Sequence, residues 1–65
     1  MFNVKRNQVF QSTLSDNRIR VRGVTPNKKD AKQSLVEIVN IDSNGRAIKD
    51  TARVVFQDSI RRWYL

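Results

Sequence analysis

The chain has 65 residues, no cysteine and no histidine, and it carries 13 Lys+Arg against 6 Asp+Glu for a formal net charge of +7. That length holds one domain, residues 1–65, whose core is small, and the missing residue types leave neither a disulfide nor the usual soft-ligand metal site. A field of this sign favours polyanions, whether nucleic acid, an anionic membrane surface or an acidic protein face, against the plainer role of keeping a small domain soluble.

The first seven residues, Met1-Phe2-Asn3-Val4-Lys5-Arg6-Asn7, contain no apolar run of signal-peptide length. Nowhere do about 18 apolar residues follow one another, so no transmembrane helix is expected. Missing cysteine fits a reducing compartment, and the expected location is the cytoplasm.

In chain order the apolar residues form short β-branched clusters. Gln8-Val9-Phe10-Gln11 predicts a short strand, and Ser12-Thr13-Leu14-Ser15-Asp16-Asn17 predicts a turn. Arg18-Ile19-Arg20-Val21-Arg22 alternates guanidinium and aliphatic side chains, which on a strand places Ile19 and Val21 inward and the three arginines in one outward row. The row spans roughly 13 Å at about 3.3 Å per residue. This strand is expected over Arg18–Thr25, where Pro26, with no N–H to donate, ends its pairing. Asn27-Lys28-Lys29-Asp30-Ala31-Lys32-Gln33 predicts an exposed loop with three lysines.

Leu35–Ile41 is rich in β-branched residues and predicts the second core strand, with Ile38 in the core. Asn44-Gly45 then suggests a two-residue type I′ turn, which pairs Ile41 with Ile48 and Ser43 with Arg46 and returns the chain as a strand over 46–49. Asp50-Thr51 marks a bend before a strand over 52–56. Gln57-Asp58-Ser59-Ile60 reads as a single helical turn, followed by a short final strand over 61–65. The competing reading is a helix over 50–63, because Ala52, Val55, Phe56, Ser59 and Trp63 recur at helical spacing. On the first reading the fold is all-β; on the second it is α+β with a C-terminal helix.

The order Asn7-Gln8-Val9-Phe10, Arg18-Ile19-Arg20-Val21, Leu35-Val36-Glu37-Ile38-Val39, a turn, a strand, Asp58-Ser59-Ile60 and a terminal Tyr64-Leu65 resembles a small SH3-like β-barrel. It is similar to barrels of short phage- and mobile-element-encoded proteins and of Tudor and KOW-type modules. The resemblance implies five short strands closing on themselves, with one 3₁₀ turn before the last strand. It also implies partners among nucleic acids, peptides and proteins, which constrains architecture more than function. The chain departs from peptide-binding SH3 domains in lacking an acidic loop with paired aromatics.

No catalytic constellation is visible. Asp16, Asp30, Glu37, Asp42, Asp50 and Asp58 are scattered singly, Ser and Thr have no histidine to activate them, and Gly23 and Gly45 belong to no phosphate loop. The expectation is a binding protein without cofactor, metal or membrane partner, not an enzyme.

Nucleic acid is the leading expected partner. Arg18, Arg20 and Arg22 would fork to phosphate oxygens, with Arg53, Arg61 and Arg62 extending the patch and Lys28 and Lys29 adding mobile charges. Against this stands the reading of the row as solvated side chains whose stems cover apolar surface. Trp63 or Tyr64 is the expected exposed ring for base stacking, with Phe10 and Phe56 expected in the core. The alternative is a module that docks on an acidic protein, by charge or by strand addition at an open edge.

Overall fold

The computed structural model describes residues 4–30 and 33–65; Lys32 and Met1 to Asn3 of the sequence readings above lie outside the described residues. Four strands, β1 (Val9–Gln11), β2 (Arg18–Thr25), β3 (Leu35–Ile41) and β4 (Arg53–Phe56), form one antiparallel sheet in chain order, and helix α1 (Gln57–Trp63) follows. β2 and β3 have the bounds that their β-branched runs predict.

The register assigns the two faces. Directly opposed residues share a face, so Phe10, Ile19, Val21, Val36, Ile38 and Val55 lie together on the inner face. Ile19, Val21, Val36 and Ile38 have no exposed surface there, and Ile60 of α1 packs into the same cluster with Val4. Phe10, Val24, Val55 and Tyr64 pack around it.

Strict alternation would put Val24 on the face opposite Val21. The β2–β3 register shifts between Val21 and Gly23, so that Val21 pairs with Ile38 while Val24 pairs with Val36. A bulge absorbs the additional residue and returns Val24 to the core side. The spacing Ile19-Val21-Val24 carries this signal, and a simple two-residue alternation overlooks it.

The five-stranded barrel expected from the SH3-like resemblance is not formed. The sheet has four strands, β4 has no pairing with β1, and the expected closing strand over 61–65 is reduced to one bridge between Ser12 and Tyr64. Helix α1 replaces both the single 3₁₀ turn and most of that strand. Asp58 lies in its first turn and meets Arg61 at 3.2 Å and Arg62 at 3.0 Å, the i,i+3 and i,i+4 pairs that favour a helix. The alternative helix over 50–63 is correct only from Gln57 onward, because residues 53–56 pair with β3. The architecture is therefore a β-rich antiparallel sheet with one C-terminal helix.

The turn after β3 also differs from expectation. Only Gly45 takes a positive φ, +79°, in this loop, and Ile41 bridges to Ala47 instead of Ile48. Asp42 explains the difference: its N–H donates to the Arg46 carbonyl while its carboxylate accepts from the N–H groups of Asn44 and Arg46, each at 2.9 Å. A loop of three residues, 43–45, closed by this side chain, replaces the two-residue turn. The return strand over 46–49 is limited to the Ala47 bridge.

Candidate functional site

The outer face carries the arginine row. Arg18 and Arg20 oppose Ile41 and Val39 of β3, and both apolar residues are buried although they face away from the core. The arginine stems lie opposite them on the same face, and the 42–48 segment folds back at this end of the sheet, where Ile48 N–H donates to the Asn40 carbonyl at 2.9 Å. The guanidinium of Arg18 donates to the Asp42 carbonyl at 3.1 Å and that of Arg20 to the Gly45 carbonyl at 3.2 Å. These bonds fix the arginine heads and tie the turn to the sheet, and each guanidinium keeps further N–H donors of its five. Arg22, at the bulge, is half-exposed and lies 4.0 Å from Glu37 on the same face.

The remaining basic candidates are not brought to this row. Arg53 opposes Ile38, which turns it to the inner face, where it donates to Asn40 Oδ1, the Thr51 carbonyl and Tyr64 Oη at 3.1, 2.8 and 3.4 Å. Arg61 and Arg62 project from α1 and share Asp58. Lys28 and Lys29 belong to the loop after β2, which Asn27 organises: its Oδ1 accepts from the N–H groups of Lys29 and Asp30, while its own N–H donates to Ser34 Oγ. The single patch expected from Arg18 to Arg62 with Lys28 and Lys29 is thus four separate groups of charge.

The aromatic residues are redistributed as well. Tyr64 is half-buried against the core, and Trp63 is exposed at the end of α1, where its carbonyl accepts from the Thr13 N–H just past β1. Phe56, expected in the core, is instead 53% exposed. It opposes Leu35, and with Val54 it faces outward on the same side of the sheet as Arg20 and Arg22. The strand Arg53-Val54-Val55-Phe56 contains the signal: once Val55 is inside, alternation places Phe56 outside. Lys28 and Lys29 line a concavity with Phe56, Leu35, Thr25 and Pro26.

Among the described residues no group of three or more acidic side chains is placed to hold a metal ion, and no helix is long and apolar enough to cross a membrane. The outer face is therefore an open platform with fixed guanidinium groups at one end and a bare apolar and aromatic patch at the other. No family model, curated protein or solved structure matches the chain.

Proposed function

We propose that this protein binds single-stranded nucleic acid across the outer face of its sheet, without catalysis. The observation that carries the reading is the placement of Phe56 on the face that also presents Arg18, Arg20 and Arg22. Phosphates would meet the guanidinium row, two of whose heads are already held by turn carbonyls, and a base would stack on the half-exposed ring, a combination that recurs in sequence-tolerant single-strand binding. The net charge of +7 is in keeping with this class of partner.

The test is a titration of fluorescently labelled single-stranded and duplex oligonucleotides at several salt concentrations. Three neutralised phosphates on a single strand give a log K against log[salt] slope of about −2. Arg22→Ala should flatten that slope by about 0.7, and Phe56→Leu should weaken single-strand binding while leaving the slope unchanged. A folded Arg20→Ala/Arg22→Ala double variant with an unaltered slope, or a preference for duplex that is indifferent to Phe56, overturns the assignment.

A further inference from the structure

The two edges of the sheet are treated differently. At β1 the chain covers its own edge: Gln11 and Leu65 exchange N–H to carbonyl bonds of 2.9 and 2.8 Å, and Thr13 donates to the Trp63 carbonyl at 2.8 Å. At β4 no strand among the described residues lies beyond the outer edge.

Ladder parity identifies the groups left there. Gln57 N–H donates to the Ser34 carbonyl at 2.8 Å and Asn40 N–H donates to Thr51 Oγ1 at 3.0 Å, which brackets the β3–β4 pairing at both ends. Both bonds fall in the register that opposes Val36 to Val55 and Ile38 to Arg53. Hydrogen-bonded and non-hydrogen-bonded pairs alternate in an antiparallel ladder, so Arg53 and Val55 bond β3. The N–H and carbonyl of Val54 and the N–H of Phe56 consequently face away from it, while the Phe56 carbonyl, at the N-cap of α1, begins the helix. Natural edges are usually blunted by lysine, proline or a bulge, and β4 has none of these. The charge of Arg53 is directed to the inner face.

We infer that the outer edge of β4 receives an extended peptide with acidic flanks, added as a further antiparallel strand. The N–H and carbonyl of Val54 and the N–H of Phe56 supply the ladder bonds, and the two side chains, 59% and 53% exposed, offer apolar contacts to alternate residues of the incoming strand. Charge selects the occupant. Lys28 and Lys29 line the concavity beside Phe56, and their amino groups make no ion pair among the described residues. Two acids lie near that end with Phe56, Asp30 and Asp58; neither is without a partner, and Asp58 is paired with Arg61 and Arg62. A second copy of the chain would bring a net charge of +7 against +7, so an acidic segment fits where a self-paired edge is repelled.

Amide exchange and chemical-shift titration on the isotopically labelled full chain test this. The probe is a synthetic peptide of alternating valine and threonine between two pairs of glutamates, with a lysine-flanked peptide as control. In the free protein the Val54 and Phe56 amides should exchange rapidly and that of Val55 slowly. The acidic peptide should protect Val54 and Phe56, and the lysine-flanked one should bind at least tenfold more weakly. Phe56→Pro removes the outward N–H at a φ of −74° that proline adopts without strain. It should reduce peptide affinity more than tenfold, whereas Phe56→Leu, which keeps the N–H, should cost less than threefold. No saturable binding at millimolar peptide, protection at the β2 arginines instead, or Val54 and Phe56 amides already protected in the free chain each overturn the inference. Protection that grows with protein concentration would identify a second copy as the occupant.

Discussion

Ile41 and Leu35 stand on the same strand and the same face, yet Ile41 is buried and Leu35 is 41% exposed. The difference arises from what the chain folds back over each end of that face. Beyond Ile41 the Asp42 turn reverses the chain, Ile48 N–H bonds the Asn40 carbonyl, and Arg18 and Arg20 pin the turn by its carbonyls. Beyond Leu35, Val54 and Phe56 extend the apolar surface, and among the described residues no segment folds back over it. Two arginines that the sequence offers as phosphate ligands therefore also hold the structure together. The end of the face without such a brace keeps apolar and aromatic groups available.

The comparison can be broken most severely from the inner face on which both ends depend. Ile38→Asp would bury an unpaired charge, at a cost above the roughly 3–10 kcal/mol expected for a domain of this size. The variant should lose its dispersed NMR spectrum; a folded Ile38→Asp protein would contradict the core. A smaller effect separates the two functions of the arginines. Arg20→Ala should destabilise the domain by about 1–2 kcal/mol in urea denaturation, through the lost bond to the Gly45 carbonyl and the uncovered Val39. Arg20→Met, which keeps a long apolar stem, should recover part of that loss, and no recovery would mean that the guanidinium alone braces the turn. The smallest effect belongs to the bare end, where Val54→Thr should change the unfolding free energy measured in urea by no more than about 0.5 kcal/mol. A larger loss there would show that Val54 is covered in solution.

Much of the sheet is legible in the residues because it depends on local pattern. The bounds of β2 and β3 follow from alternating or continuous β-branched runs ended by Pro26 and by the Asp42 turn. The helix over 57–63 is less legible, since Val54-Val55-Phe56 favours a strand and Trp63-Tyr64-Leu65 favours another. The salt bridges of Asp58 and the burial of Ile60 settle that segment as helix. The turn at 42–46 misleads for a related reason, because Asn44-Gly45 carries a two-residue hairpin signal, whereas the carboxylate of Asp42 gathers two N–H groups and lengthens the loop.

The candidate site divides in the same way. Alternation alone places Arg18, Arg20 and Arg22 on one face opposite Ile19 and Val21, and it does so before any partner strand is known. The face on which Arg53 falls, the exposure of Phe56 and the open edge of β4 depend on which residues oppose each other across strands and on what the chain folds over them. Side-chain alternation is a property of one strand, fixed by its own backbone geometry, and is written in the sequence. Burial is a property of pairs of segments distant in the chain, and only the assembled sheet, with its bulge, its turn and its helix, decides it.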